Sequence, residues 1–473
     1  MKNNIYSIIT LVAIAVNIIF IITAVFFERK KPVQALSWVL ALSLLPGFGF
    51  FLYLLFGRKS FKQYSHIVFE NYVNIPYGKT VGAALSNDSI RQLLRLNAAT
   101  SRSAYTDDNK VQIFTNAREK YDALIKDIEA AKHSIHMLYF IIQNDHIGKK
   151  IKGLLAEKAK QGVEVRLLFD HGSNLLMPFK AYKAITDNGG EVFTYFSNTI
   201  DNYLKVNFRN HRKIVVIDGK IGYTGGINIG DEYMGLVEKT SPWRDTHVRM
   251  TGHCVMDLQL SFIEDWIYAS KTSAKAFDTK KYFPEPGPEQ LGNTGIQIVT
   301  SGPDTGGEEI KRGFIKMINS ARKNIFIQTP YFIPDTSVLE ALQNAAFSGV
   351  NVILQIPAKP DKRYVYKATM SYVADVLDYG IKVYLYPGFL HAKMLVVDDN
   401  FCSIGTANVD MRSFALNFEL NAFMYGSEIT GRCTEIFNND LKGCTQLTKE
   451  KFNSRSIFSR MEEGIYRLMS PIL

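Results

Sequence analysis

The 473-residue sequence predicts an α/β protein of two similar halves, preceded by an N-terminal helical hairpin. Three observations carry this expectation. Two long apolar runs without a charge open the chain, segments with strand-like and helix-like periodicity alternate from about residue 109, and that alternation is replayed roughly 180 residues later.

Taking the elements in order, Ile5–Phe27 gives 23 residues without a charge and Pro32–Phe56 gives 25 more, separated by Glu28, Arg29, Lys30 and Lys31. Each run exceeds the roughly 20 residues needed to cross a hydrocarbon core. A signal peptide has a shorter apolar region and no second spanning run after it, so residues 1–59 read as a transmembrane hairpin with helices over about 5–27 and 32–56. Pro46, Gly47 and Gly49 offer an alternative in which the second helix bends into the interface. A hairpin returns the chain to its starting side. Lys2, Arg58, Lys59 and Lys62 at the outer ends outnumber Arg29, Lys30 and Lys31 in the loop by one charge, which favours a cytoplasmic location for the rest of the chain.

Residues 60–108 read as a linker with one short helix around Ser89–Asn97. The first half, 109–285, begins with the strand VQIF (111–114), a helix from Ala117 to Ala131, the strand SIHMLYFII (134–142), a helix from Gly148 to Lys160 and the strand VEVRLLFD (163–170). The second half, 294–473, repeats this order: GIQIVTSG (295–302), a helix from Glu308 to Ala321, NIFIQTPYF (324–332), a helix from Ser337 to Ala346, and VNVILQIP (350–357). AAKHSI aligns with SARKNI at the same joint, and both following strands run into Tyr-Phe, at Tyr139-Phe140 and Tyr331-Phe332. The Pro-rich stretch between Phe283 and Gly292 lies where the halves should join. Mixed sheets flanked by helices follow.

The net charge is +10, and about half of it falls in the first 59 residues, where lysine and arginine can meet anionic lipid head groups. No arginine-rich arm or basic stripe interleaved with aromatics stands out, so a membrane partner is expected and a nucleic-acid partner is not. Cys254, Cys402, Cys433 and Cys444 have no CxxC spacing, which argues against a zinc site or a disulfide framework and for small buried side chains.

One polar constellation occurs twice in fixed register. NHRKIVVIDGKIGYTGGIN supplies His211, Lys213, Asp218, Gly225 and Asn228; FLHAKMLVVDDNFCSIGTAN supplies His391, Lys393, Asp398, Gly405 and Asn408, each 180 residues on. Strand alternation puts each histidine and its lysine on one face and the aspartate on the other, at a hairpin turn. The aspartates therefore read as ties to the turn or to neighbouring backbone. Asn228 and Asn408 are expected to return on the partner strand near the His-Lys pair.

This pattern, HxKxxxxD followed by GG or GT and an asparagine, resembles the phospholipase D superfamily over essentially the whole chain beyond residue 105. Within it, ERKKP, FLYLLFGRK, WRDTHVRMTG (243–252), TPYFIPD (329–335), NFELN (417–421) and the terminal RLMSPIL are similar to the bacterial cardiolipin synthases. Thr406 is a departure, since relatives often carry serine there; the hydroxyl is kept. The resemblance implies two α/β halves packed so that both motifs meet at a single central site. It also implies a bacterial plasma-membrane enzyme, phosphatidylglycerol as substrate, catalysis by His211, Lys213, Asp218, His391, Lys393 and Asp398, and phosphate binding by Asn228 and Asn408.

Transfer at a phosphodiester needs a nucleophile, a proton donor for the leaving alkoxide and positive charge over the non-bridging oxygens. Two histidines and two lysines provide that set with no metal or cofactor. One imidazole must be neutral and the other protonated, and near-symmetry leaves open which is which; the resemblance implies that His211 attacks and His391 is the general acid, then base. Each histidine also needs an acceptor on its far nitrogen. Asp245 in WRDTH and Glu419 in NFELN, 34 and 28 residues past the histidines of their own halves, are the candidates. If the acceptor is the glycerol hydroxyl of a second phosphatidylglycerol, the products are cardiolipin and glycerol. Another head-group alcohol or water would make the protein a different transferase or a phospholipase. A non-catalytic scaffold that kept the fold would be expected to lose a histidine or lysine, and both copies are intact. His133, His136 and His247 lack motif partners and read as packing residues, as do the two Tyr-Phe pairs. No feature of the sequence indicates an oligomeric state.

Overall fold

In a computed structural model, the alternation read from the sequence becomes, among the described residues, one 16-stranded mixed sheet with an internal two-fold repeat. The structure describes residues 2–28, 32–45, 47–57, 87–174, 178–196, 207–273, 277, 279–305 and 308–471. The chain divides into two units: Met1–Phe61 with Asn198–Phe208, and Lys62–Ser197 with Arg209–Leu473.

In the larger unit the first half contributes β1 (Thr106–Phe114), β2 (Ser134–Tyr139), β3 (Glu164–Asp170), β4 (Glu191–Tyr195), β5 (Ile214–Ile217), β6 (Ile221–Gly225) and β7 (His247–Thr251). The second contributes β8 (Thr294–Ser301), β9 (Asn324–Gln328), β10 (Asn351–Pro357), β11 (Lys382–Tyr386), β12 (Met394–Val397), β13 (Phe401–Gly405), β14 (Asn417–Tyr425) and β15 (Thr445–Leu447). The strand order is β15-β11-β10-β9-β12-β13-β14-β8-β1-β7-β6-β5-β2-β3-β4, with Arg209–Asn210 pairing on β14. Apart from the appended β15, the order reads the same outward from the antiparallel β1–β8 pair in both directions. Each half mixes parallel pairs (β2–β3–β4, β9–β10–β11) with antiparallel ones around the motif hairpins β5–β6 and β12–β13. The β1–β8 junction is locked by Asn109, whose amide donates to the Thr106 and Thr294 carbonyls and accepts from the Cys254 amide.

Buried strands of this kind are apolar on both faces because helices cover them. In the first half α5 (Ala117–Ala130) and α6 (His146–Lys160) pack with β2, β3 and β5 into one apolar core, and α7 (Cys254–Ser270) covers the opposite face. Asn116 and Asp145 cap α5 and α6 by accepting backbone N–H bonds, as short polar side chains at helix starts do. The second half repeats this with α8 (Glu309–Asn319), α9 (Thr336–Phe347), α10 (Arg363–Leu377) and α11 (Ser427–Leu441).

Of the expected 60–108 linker, residues 60–86 lie outside the described residues. The helix within it, α4 (Asp88–Ser101), is capped by Asn87 and buries Ile90, Leu93 and Leu94 in the core of the second half, although it precedes the first in sequence. The opening strand starts at Thr106 rather than 111.

In the smaller unit, α1 (Lys2–Ile22) continues through a wide turn to Phe27, and the second run is split into α2 (Pro32–Leu44) and α3 (Phe48–Leu52) rather than forming one helix over 32–56. The break falls beside Pro46 and Gly47, and Gly47 takes a φ of +85° that favours glycine. Gly49 then lies so close to Ala41 that a Cβ would meet its carbonyl oxygen at 2.4 Å. Phe20, Trp38, Phe50 and Tyr53 hold the pieces together by ring contacts at 5.0–5.4 Å. Among the residues whose side chains are described, no helix is long and apolar enough to cross a membrane.

Candidate active site

The two motif histidines and lysines lie not within β5 and β12 but in the extended segments just before them, each strand beginning one residue after its lysine. Each segment is anchored on the other half of the chain. Arg209–Asn210 pairs in parallel with Asn417–Phe418, and Phe389–Leu390 with Trp243–Arg244. The His211 amide donates to the Phe418 carbonyl at 2.9 Å, and the His391 amide to the Arg244 carbonyl at 2.6 Å.

The side chains follow the backbone across the two-fold. His211 Nδ1 lies 2.9 and 3.0 Å from the Glu419 carboxylate oxygens, and His391 Nδ1 lies 2.7 Å from Asp245 Oδ2. The expectation that each carboxylate serves the histidine of its own half is corrected: the pairing is crossed. The cause is the pair of short parallel ladders, which place NFELN beside the first motif and WRDTH beside the second.

The lysines are buried under the histidines. Lys213 Nζ donates to the His211 carbonyl at 2.8 Å and Lys393 Nζ to the His391 carbonyl at 2.6 Å. The imidazoles keep slight exposure, with residues 8% and 9% accessible. Burial and the neighbouring cations set the protonation of the cluster. His211 is driven well below the usual histidine range by burial, then by Lys213, Lys393 and His391. His391 falls to about 4 by burial and Lys393, with Asp245 opposing. Burial lowers Lys213 to about 7 and Lys393 to about 8, and raises Glu419 to about 7. Glu419 bonds both His211 of the first motif and the Thr406 hydroxyl beside the second, so the two motifs share one cluster.

The carboxylates are held differently. Glu419 accepts from the Thr406 hydroxyl at 2.5 Å and from Asn417 Nδ2 at 3.1 Å, so the threonine that departs from the usual serine works through the hydroxyl both residues share. The matching position in the first half is Gly226, where a Cβ would meet Asp245 Oδ1 at 2.0 Å. Asp245 Oδ1 instead accepts from the Thr246 amide at 2.7 Å.

Asp218 and Asp398 lie away from this cluster, at the hairpin turns. Asp218 accepts from the backbone amides of Lys132, His133 and Ser134, and Asp398 from those of Arg322, Lys323 and Asn324, at 2.7–2.9 Å. They tie each motif hairpin to the start of β2 or β9. Their reading as turn ties agrees with this geometry. Neither Asn228 nor Asn408 lies on a partner strand; both follow it by three residues. Asn228 accepts from the Ile141 amide and donates to the Tyr233 hydroxyl, and Asn408 donates to Asp410. The buried Asn408 carbonyl oxygen has no hydrogen-bond partner among the described residues.

Sequence reasoning missed the groups that support the site. Arg212, between His211 and Lys213, turns the other way by alternation and is buried, its Nη1 donating to both Asp265 carboxylate oxygens at 3.0 Å while its Nε donates to the Glu419 carbonyl at 3.2 Å. Arg244, next to Asp245, pairs with Asp440 of α11 across the halves. Phe140 packs edge-on to His211 at 4.7 Å, and Trp243 lies 5.4 Å from His391, so one residue of the Tyr139-Phe140 pair belongs to the site. Tyr139 is fully buried against Lys120. His136 is a scaffold residue bonded to Gln259 and Glu164. Among the described residues, no group of three or more His, Cys, Asp or Glu is placed to hold a metal ion.

Comparison with known proteins agrees with this architecture. The family model described as "Cardiolipin synthase, PLD-like domain" matches residues 124–239 and 314–441, and the one described as "Phospholipase_D-nuclease N-terminal" matches residues 15–58. The chain is 42% identical to the major cardiolipin synthase ClsA of Bacillus subtilis, over 99% of this chain and 100% of that protein. It is also 42% identical to a cardiolipin synthase of Staphylococcus aureus, over 100% of this chain and 98% of the other. A phosphatidylserine synthase structure from Haemophilus influenzae superposes with a TM-score of 0.61 at 16% identity, covering 82% of this chain and 100% of that one, a likeness of fold.

Proposed function

Because the chain belongs to the phospholipase D-like cardiolipin synthase family, we propose that its crossed His-Lys site moves a phosphatidyl group from one phosphatidylglycerol to the glycerol hydroxyl of a second, giving cardiolipin and glycerol. The observation that carries the mechanism is the pair of histidines, each fixed through Nδ1 by a carboxylate of the other half and each above a buried ammonium.

With Nδ1–H donated to the carboxylate, each Nε2 is left for chemistry. The Nε2 lone pair of His211, kept neutral by burial and the neighbouring lysines, attacks phosphorus. The P–O bond to the head-group glycerol breaks as that oxygen takes the Nε2 proton of His391, leaving phosphatidyl-His211 and free glycerol. His391, now neutral, removes the proton from the second lipid's hydroxyl; that oxygen attacks phosphorus and the P–N bond breaks. One phosphodiester replaces another, so no nucleotide is consumed. Lys213 and Lys393 hold the non-bridging oxygens. The bound phosphate in turn offsets their charge, which raises the pKa of His391 from its empty-site value and arms it as an acid. The Asn408 NH2, which donates to Asp410 in the empty site, is the group that would donate to a phosphate oxygen, and Asn228 shapes the pocket through Tyr233 and the Ile141 amide.

The N-terminal unit supports a membrane location. Its helices leave Leu11, Ile18, Phe26, Phe27, Leu44 and Phe48 exposed, a surface suited to hydrocarbon. It anchors the chain in the bacterial plasma membrane, with the larger unit on the cytoplasmic side by the charge bias at the helix ends.

The test is purified protein with phosphatidylglycerol labelled in its head group and acyl chains. Cardiolipin and released glycerol in equal amounts without added nucleotide are expected; phosphatidic acid with no cardiolipin would overturn the synthase reading in favour of a phospholipase.

A further inference from the structure

The last described helix, α12 (Ile457–Leu468), is amphipathic in the reverse sense for a surface helix. Its polar face is turned into the protein. Glu462 pairs with Arg363 and Lys367, Ser459 accepts from Lys367, and Arg467 bonds Asp375 and the Ser371 carbonyl, all on α10. Its apolar face is turned outward: Ile457, Phe458, Met461, Ile465 and Leu468 are between 61% and 83% exposed and recur at helical spacing. A contiguous stripe of this kind marks a surface that something covers.

Charge and position identify the occupant. Residues 449–471 carry Lys449, Lys451, Arg455, Arg460 and Arg467 against Glu450, Glu462 and Glu463, and two of those three acids are already paired with cations. Arg460, within α12, and Lys451, on the helix before it, are exposed. A second copy docked about a two-fold axis would set these cations against themselves. Phospholipid phosphates would meet them favourably. The contacts of α12 follow α10 from its first turn, and that turn borders the site: Asp361, two residues before it, accepts from the Tyr331 hydroxyl, and the next residue, Phe332, pairs with Val409 beside Asn408.

We propose that α12 is a membrane-docking helix whose outward face lies in the surface of an anionic phospholipid bilayer, with Arg460 and Lys451 on the head-group phosphates, so that the site opens onto lipids still in the bilayer. The proposal rests on the lipid-transferase reading for its purpose, but its binding test does not.

The full chain, in a Cys444→Ser background that leaves only buried cysteines, would carry an environment-sensitive fluorophore at Phe458→Cys, Leu468→Cys or, as control, the exposed Asn453→Cys. In phosphatidylglycerol vesicles the probes at 458 and 468 should shift to the blue and become roughly threefold or more less quenchable by acrylamide than in detergent, with no such change at 453. Equal quenching in vesicles and detergent would overturn the proposal. So would protection in detergent that grows with protein concentration, the mark of a second copy, or equal protection in phosphatidylcholine vesicles, which removes the anionic component. The double variant Ile465→Ser/Leu468→Ser should turn over bilayer phosphatidylglycerol about tenfold more slowly than the parent and dispersed short-chain phosphatidylglycerol at the parent rate. A parent inactive on both forms would refute the transferase reading and leave the probe result standing.

Discussion

Asp245→Asn separates crossed from same-half pairing, and the structure determines its effect. Asp245 Oδ1 accepts from the Thr246 amide at 2.7 Å, so an asparagine there keeps its carbonyl oxygen at that position and turns its NH2 toward His391 Nδ1. An NH2 can only donate, which forces Nδ1 to accept and moves the imidazole proton to Nε2. His391 then has no Nε2 lone pair to deprotonate the acceptor alcohol, and its imidazolium loses a buried anionic partner. The lost charge-assisted bond alone is worth about 1.5–3 kcal/mol, or roughly ten- to a hundredfold. Adding the wrong tautomer brings the expected fall in kcat to about 10³–10⁴-fold, the scale known for the equivalent change in a serine protease. The assay uses a phosphatidyl donor with a p-nitrophenyl leaving group, which departs without an acid. Asp245→Asn should then form phosphatidyl-His211 and stall, giving a burst of one nitrophenol per active site. Glu419→Gln, which loosens the attacking histidine, should give no burst. A burst from Glu419→Gln and none from Asp245→Asn would refute the crossed assignment with His211 as nucleophile.

Three other outcomes follow from the same geometry. Thr406→Ser keeps the donor to Glu419 and should stay within about twofold of the parent rate, whereas Thr406→Val leaves a buried carboxylate oxygen and the Leu420 amide without that hydroxyl, costing about 1–3 kcal/mol in thermal unfolding and about tenfold in turnover. Lysines are charged below their pKa, so kcat/KM should fall as pH rises through about 7 to 8, where Lys213 and Lys393 lose their protons; in Lys213→Arg the guanidinium stays charged, and the remaining alkaline limb should move toward the Lys393 value of about 8. Asp218→Ala removes the acceptor from three backbone amides and should cost about 2–4 kcal/mol of stability, with kcat per folded molecule within about threefold; a hundredfold loss of kcat at unchanged Tm would put Asp218 in the chemistry.

The duplication was legible because it survives as residue types at a constant offset, and it fixes a sheet that reads alike outward from β1–β8. The His-Lys pairs and the turn aspartates were legible for the same reason, together with strand alternation. The crossed carboxylates were not, because distance along the chain favours the same half, whereas the two-residue ladders at Arg209–Asn210 and Phe389–Leu390 reach across. Nor could sequence order show that α4 completes the second core, since only the fold brings Ile90 and Leu93 beside Val299 and Phe314. The kink near Pro46 was visible as a weak point, and the close approach of Gly49 to Ala41 shows how it is used. The hydrogen bond from Asn228 to Tyr233 was not legible either, since that partner, five residues on, belongs to no motif.

The most direct test of a single site shared by both halves is to locate the covalent intermediate. His391→Asn protein is incubated with the p-nitrophenyl phosphatidyl donor, digested at neutral pH and mapped by mass spectrometry. The account predicts an acid-labile phosphatidyl group on His211, at up to one per chain, and none in His211→Asn. An adduct on another residue, or a stable adduct in His211→Asn alone, would contradict it.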